Sequence, residues 1–521
     1  MWRVKSLDAI LATAEKKSLH RSLGAFQLTM LGIGGVIGTG IFVLTAEAAQ
    51  KAGPGMMMAF VIAGIVCAVA ALCYAELASM VPVAGSAYTY SYAVLGEFVA
   101  WLVGWALILE YAVAASAVAV GWSGYIVGLI EHSLHVTLPV ALTSGPYIAG
   151  GIVNLPAILI SLAVTGLLIL GTTESATVNA VLVAIKVAAL TAFIALALPV
   201  INDANFKPFA PLGTPGIIGA AASIFFAYVG FDAVSTAAEE TKDPQRNIPI
   251  GLIGSLVICT IFYLLVAAGA IGAYGAQPVF GPAGEILAPG SKALAEQCQT
   301  ISAAGNMPLV CSREALAHVL RQIGHPAVGN LLGVAAGIAL PSVILMMIYG
   351  QTRIFFVMSR DGLLPGVLSK VHPKFKTPHI VTMITGLLVT LAAAFLPVGK
   401  LADISNSGTL FAFLMVAIAV MILRVKQPDR KRPFRTPLVW VIAPIAAVGT
   451  VVLFMYLPHD AKVLFPIWSA IGLVVYFAYG FWNSNVRKGV DEVAELDPNA
   501  PATGVPPMPG APAPGSKEER Q

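Results

Sequence analysis

The chain has 521 residues, of which 58% are hydrophobic and only 11% charged, with a formal net charge of +4. Soluble domains run at about 45–50% apolar and about 25% charged, so this composition excludes a soluble enzyme, a disordered protein and a fibre, and makes lipid the main solvent. The first 22 residues carry Arg3, Lys5, Lys16, Lys17 and Arg21 and no apolar core of signal-peptide length, so 1–22 read as a cytoplasmic tail. A helical span needs roughly 20 apolar residues. Twelve such runs follow, at 24–49, 55–81, 92–129, 153–170, 176–199, 216–238, 250–274, 328–352, 379–397, 401–423, 438–457 and 463–482. The third is too long for one straight span and predicts a short tilted or re-entrant entry near Tyr88–Gly96. Barrel strands would be about ten residues long and alternating. These runs are long and apolar all round, so the fold class is an all-α integral membrane protein with a transmembrane domain over 23–485. Residues 486–521, rich in Pro, Ala and Gly from Pro498 onward, are expected to be a disordered cytoplasmic tail.

Charge supports this topology. With both termini cytoplasmic, 22 of the 30 Lys and Arg residues fall on the inner side and seven on the outer, the asymmetry of the positive-inside rule. No basic loop is interleaved with aromatics, so nucleic acid is not an expected partner. Cys67, Cys73 and Cys259 lie in spans and read as packing residues. Cys298 and Cys311 share the long outer loop 275–327, where a disulfide is open but not decided by sequence. His372 and His379 have no partners at ligand spacing, and neither a metal site nor a nucleophile motif is expected.

Function is expected where the rules of membrane helices are broken. The first span reads Gly32-Ile-Gly34-Gly35-Val-Ile-Gly38-Thr39-Gly40, five glycines in nine residues. Tight packing of small residues would explain some of them. So many predict an unwound segment. No strand precedes them and the dinucleotide-loop spacing is absent. The sixth span reads Phe225-Phe226-Ala227-Tyr228-Val229-Gly230-Phe231-Asp232, with a Gly beside an Asp at mid-membrane. Breaks in the first and sixth spans are the pattern of an inverted repeat with two discontinuous helices, here about 23–200 and 216–424, followed by extra helices at about 438–482. Half-helix N-termini favour a carboxylate, and freed carbonyls favour an ammonium. A molecule with both on one carbon is an α-amino acid.

The segments GIGGVIGTGIFVLTAEAAQKAGPG, CYAELASMVPVAGSAYTYSYAVLGE and FFAYVGFDAVSTAAEETKDPQRNIPIG resemble the amino acid–polyamine–organocation permeases, and within them the cationic amino acid transporter family with its bacterial members. The resemblance covers about 18–485. It implies the five-plus-five leucine-transporter-like fold, proton-coupled amino-acid transport, the proton as coupling ion, no cofactor, and a bacterial inner membrane. Carried onto this chain, it implies a substrate site along Val36, Ile37, Gly38, Thr39 and Gly40 and along Phe226, Ala227, Tyr228, Val229 and Gly230. The N–H groups of Gly38, Thr39 and Gly40 would take the carboxylate. The carbonyls of Val36, Phe226 and Val229 would take the amine, and Phe226 would be a gate. Valine at Gly38 or Gly40 is expected to block the site.

Two ionisable residues lie inside spans, Lys186 in the fifth and Glu110 in the third. The resemblance places a lysine at Lys186, where sodium-coupled relatives hold sodium. Lys186, Glu110 and, more weakly, Tyr263 are therefore the proton-coupling candidates. If Lys186 and Glu110 pair, little acid remains for a cationic side chain, so a small or medium neutral L-amino acid is favoured over a cationic one. Glu76, Glu239 and Glu240 sit near basic loops and read as gates or conformational ion pairs. The other readings are an exchanger on the same fold and, further off, a polytopic enzyme or a sensor. An accessory membrane subunit is left undecided.

Overall fold

A computed structural model describes residues 4–5, 23–82, 85–148, 150–171, 176–238, 241–305, 307–375 and 377–488. Among these residues the regular structure is helical, with isolated bridges in place of strands. Eight helices are long and apolar enough to cross a membrane, and four shorter apolar helices of 10–17 residues accompany them. The protein is an all-helical, multi-span membrane protein. The predicted tails, together with Glu239 and Glu240, lie outside the described residues, apart from Val4, Lys5 and 486–488.

The first apolar run is split into α1 (Ala25–Val36), α2 (Thr39–Phe42) and α3 (Leu44–Ala52). Then come α4 (Met56–Met80), α5 (Ser86–Val94) and α6 (Glu97–Leu134). The expected short entry before the third span is α5, set off from α6 at Gly96, whose φ of 97° is a left-handed value that a side chain resists. Next follow α7 (Leu155–Leu170), α8 (Ala176–Ala197), α9 (Gly213–Ile224), α10 (Ala233–Thr236) and α11 (Pro244–Tyr274). The long loop carries α12 (Lys292–Ala303) and α13 (Ala315–Gln322). Last are α14 (Pro326–Arg360), α15 (His379–Phe395), α16 (Val398–Lys426), α17 (Val439–Tyr456) and α18 (His459–Val475). Arg353 falls just beyond the eighth apolar run at 328–352. It belongs to α14 instead and is buried, with its guanidinium over the Tyr349 ring.

Small residues let the central helices close up. A Cβ on Gly408 of α16 would stand 2.7 Å from the Ala106 carbonyl oxygen of α6, so side-chain-free contact is what brings these backbones together. The outer faces are apolar instead: Leu159, Leu387, Val448 and Val474 are each at least half exposed, as expected where lipid is the neighbour. Cys298 and Cys311 are joined by a disulfide, with Cα atoms 5.4 Å apart, which ties α12 to the segment before α13.

Candidate functional site

Both helix breaks are present and they face each other. After Val36 the chain extends through Ile37 (φ −73°, ψ 92°) and Gly38 (φ −143°, ψ −149°) before α2 starts at Thr39. A helix start leaves its first N–H groups without partners along the helix, so Gly38, Thr39 and Gly40 present donors. On the other side of the break, carbonyls are released. That of Gly34 accepts from the Lys186 ammonium of α8 at 2.8 Å, and that of Val36 from the Tyr263 hydroxyl of α11 at 2.7 Å.

In the sixth run α9 tightens into a 3₁₀ turn over Phe225–Tyr228 and then opens at Val229 (φ −62°, ψ 138°) and Gly230 (φ 113°). Asn406 of α16 donates to the carbonyls of Ala222 (2.8 Å) and Ser223 (3.1 Å) just before that turn. Glycine lets the two breaks interlock. A Cβ on Gly230 would stand 2.8 Å from the Gly35 carbonyl oxygen, and one on Gly40 would stand 2.3 Å from the Ala227 Cα. Tyr263 also reaches the Ala227 carbonyl at 2.8 Å, so one phenol proton is shared between the two broken helices. Tyr228 packs edge-on against Tyr263 and donates to the Phe60 carbonyl at 3.0 Å. Phe226 is buried beside them, 6% exposed.

The carbonyls carried over for the amine are placed as follows. Val36 accepts from Tyr263, and Phe226 accepts from the Val229 N–H at 3.2 Å. Each keeps a second lone pair. Helix α14 supplies a wall: Val343 would meet a Cβ on Gly38 at 3.5 Å, and the Met346 sulfur one on Gly35 at 3.1 Å.

The coupling candidates divide in two. Lys186 and Tyr263 converge on the first break. Glu110 does not join them. It is buried on α6 near Thr409 of α16 and within electrostatic reach of Asp232, and no ion pair links it to Lys186. The condition on which the sequence weighed its cargo, a Lys186–Glu110 pair, is not met: both carboxylate oxygens of Glu110 are buried without a hydrogen-bond partner. Asp232 accepts from the Tyr111 hydroxyl at 3.0 Å, a partner that sequence reasoning missed.

Sequence reasoning also missed a polar cluster near the start of α16. Lys51, just beyond the first apolar run, pairs with Asp403 at 3.2 Å, and Ser223 of α9 bonds both. An Asp inside an apolar run was the signal that could have found it. Glu76 is an ion-pairing residue, as its position suggested. Arg424 grips both its oxygens at 2.7 Å, the Thr436 N–H adds a bond at 2.8 Å, and Arg432 stands at 3.2 Å. Among the described residues no group of three His, Cys, Asp or Glu could hold a metal ion.

The arrangement can hold an anionic group on first-turn N–H donors and a cation on freed carbonyls, with a fixed ammonium behind them. The profile of the amino acid permease family matches residues 23–478. The chain is 44% identical over 492 residues to the branched-chain amino acid permease BcaP of Bacillus subtilis (strain 168), covering 94% of this chain and 99% of that one. It is 43% identical over 494 residues to the methylthioribose transporter of the same organism, with the same coverage. It is 34% identical over 471 residues to cationic amino acid transporter 9, chloroplastic, of Arabidopsis thaliana, covering 88% of this chain and 77% of that one.

Proposed function

Because the chain belongs to the amino acid permease family, and so is a transporter rather than an enzyme, we propose that it imports a neutral L-amino acid together with a proton. The observation that carries this reading is the interlocked pair of helix breaks. First-turn N–H groups at Gly38–Gly40 offer a carboxylate site, and the second lone pairs of the Val36 and Phe226 carbonyls offer an ammonium site. In this reading all twelve apolar runs cross the bilayer as a five-plus-five inverted repeat plus two, with both termini cytoplasmic. Phe226 closes over the substrate.

An aliphatic side chain of small or medium size is the favoured cargo. The α14 wall offers Val343 and Met346, both apolar. The acidic groups in this region also have neighbours to satisfy: Asp232 binds Tyr111, and Asp403 binds Lys51. A guanidinium or second ammonium would depend on Glu110, whose carboxylate oxygens lack hydrogen-bond partners. The branched-chain permease among the relatives points the same way. The relative named for methylthioribose supports a second reading, in which the cargo is a neutral thio-sugar.

Uptake into proteoliposomes carrying an inward proton gradient tests both. We expect saturable accumulation of L-alanine, L-valine or L-leucine that collapses when a protonophore abolishes the gradient. Saturable arginine uptake that alanine cannot compete overturns the neutral cargo. Methylthioribose uptake without amino-acid uptake favours the second reading. Counterflow without net uptake identifies an exchanger.

A further inference from the structure

Between α16 and α17 the chain turns over residues 427–438. From Arg424 to Arg435, six of twelve residues are basic: Arg424, Lys426, Arg430, Lys431, Arg432 and Arg435. The one acid among them is Asp429.

Two of the six hold the turn in shape. Arg432 is buried and donates to the carbonyls of Leu423 (3.2 Å), Gln427 (2.6 Å), Pro428 (3.0 Å) and Arg430 (2.8 Å). Arg424 is taken by Glu76, and the Thr436 hydroxyl donates to the Leu72 carbonyl at 2.9 Å, so the turn is fastened to the end of α4. Lys426, Lys431 and Arg435 are left exposed, and they make no hydrogen bond or ion pair among the described residues. Like charge is crowded here. Burial first, and then Arg424 and Arg435, hold the Arg432 guanidinium below its ordinary value against the pull of Glu76. The turn therefore carries more positive charge than Glu76 and Asp429 neutralise, on a backbone already fixed by its own bonds.

Apolar groups flank this charge. Leu438, 77% exposed, is the most exposed large hydrophobic residue among the described ones, and Val425 is 68% and Trp440 60% exposed. Val425 and Lys426 end α16, while Leu438 to Trp440 open α17. Charge and apolar flank thus lie where two apolar helices leave the bilayer, the level at which tryptophan is favoured. A basic turn alone would only follow the positive-inside rule, and an apolar helix end alone would only meet lipid tails. Both together on one fixed turn match a molecule that joins acyl chains to an anion.

We propose that the α16–α17 turn is a docking surface for anionic phospholipid, with headgroup phosphates against Lys426, Lys431 and Arg435 and acyl chains along Val425, Leu438 and Trp440. In the proposed topology the turn lies on the inner face. Basic clusters beside a membrane span attract anionic lipid there, each exposed cation being worth about fivefold in an equilibrium. Because Arg432 and Glu76 already hold the turn, little of it has to be ordered when lipid binds. The surface is independent of which cargo the central site takes.

Native mass spectrometry of the full-length protein in detergent, titrated with dioleoyl phosphatidylglycerol or dioleoyl phosphatidylcholine, counts bound lipids and gives an affinity for each. The acyl chains are the same, so the ratio of affinities isolates the headgroup. We expect the wild type to bind the first phosphatidylglycerol at least about tenfold more tightly. The triple variant Lys426→Gln, Lys431→Gln, Arg435→Gln should bring the two lipids to within about twofold of each other, and Arg435→Gln alone, which serves where the triple variant does not fold, should lower the ratio about fivefold. Lys370→Gln with Lys374→Gln removes two exposed charges from a different loop and should leave the ratio within about twofold of wild type. A wild type without preference overturns the proposal. So does a ratio unchanged in the α16–α17 variants, and so does an equal loss in the Lys370 and Lys374 variant, which would reduce the effect to overall charge.

Discussion

Gly40 and Gly38 are two residues apart, yet their surroundings differ. A Cβ at Gly40 would lie 2.3 Å from the Ala227 Cα and 2.5 Å from its Cβ, whereas one at Gly38 would meet Val343 at an ordinary 3.5 Å. Ala227 sits in a 3₁₀ turn held by Tyr263, so it cannot recede cheaply. Overpacking of this kind costs about 1–3 kcal/mol, or roughly 5- to 150-fold in an equilibrium. Gly40→Ala should therefore weaken substrate binding at least about fivefold, while Gly38→Ala stays within about threefold of wild type. Ligand-induced thermal shifts of the two purified variants decide this, and equal behaviour would remove the interlock from the argument. Sequence alone treats the two glycines alike, because composition signals an unwound backbone but not which glycine meets the opposing helix.

At the scale of elements, ion pairs and loops hold the bundle's ends. Glu76 of α4 ties down the connection between α16 and α17. Its side chain is 1% exposed, as is that of Arg432, and Arg424 holds both its oxygens. Removing one partner from a buried pair leaves the other charge uncompensated, at about 3 kcal/mol. Glu76→Gln should thus lower Tm by several degrees in detergent, and an unchanged Tm would show the clamp to be idle. At the loop-bearing end, His318 of α13 contacts the Met307 carbonyl at 2.9 Å and stacks edge-on with Tyr274. Burial holds its imidazole below the ordinary value near 6.5, outweighing the carbonyl that favours the charged ring. The unfolded segment binds a proton that the folded one resists, so this stability is complete above about pH 6.5 and drains away as pH falls below it. Hydrogen exchange in α13, corrected for intrinsic rates, should accelerate between pH 7.5 and 5.5 in the wild type and not in His318→Gln. The two breaks and the α5 entry were legible in sequence because glycine clusters and run lengths report on backbone directly. The Lys51–Asp403 pair, the Asp232–Tyr111 bond and the position of Glu110 were not, since each depends on which faces of distant helices meet.

Across the whole molecule, α8 and α11 reach the first break from separate parts of the chain. Lys186 donates to the Gly34 carbonyl at 2.8 Å, and Tyr263 spans the Val36 and Ala227 carbonyls. Alternating access requires such a junction to exist in two arrangements, and a proton can choose between them only if it changes a contact there. The Lys186 Nζ donates to the freed Gly34 carbonyl, a contact that is stronger from an ammonium than from a neutral amine. Loss of the proton removes the charge and weakens the tether between α8 and the broken helix. In the proposed mechanism a substrate carboxylate on Gly38–Gly40 and a proton on Lys186 act on opposite sides of one break, so release of either loosens the other. Glu110 lies near Asp232 and Thr409 rather than at this junction, so of the three coupling candidates Lys186 and Tyr263 contact it directly, and the lysine is the basic one. Lys186→Met keeps much of the stem's bulk and removes the charge. In proteoliposomes with an imposed inward pH gradient it should lose at least tenfold in accumulation of the substrate, while binding measured by thermal shift falls less. If Lys186→Met still concentrates substrate against its gradient, the ammonium is only a structural tether and the proton crosses by another group, with the Glu110–Asp232 pair the next to test.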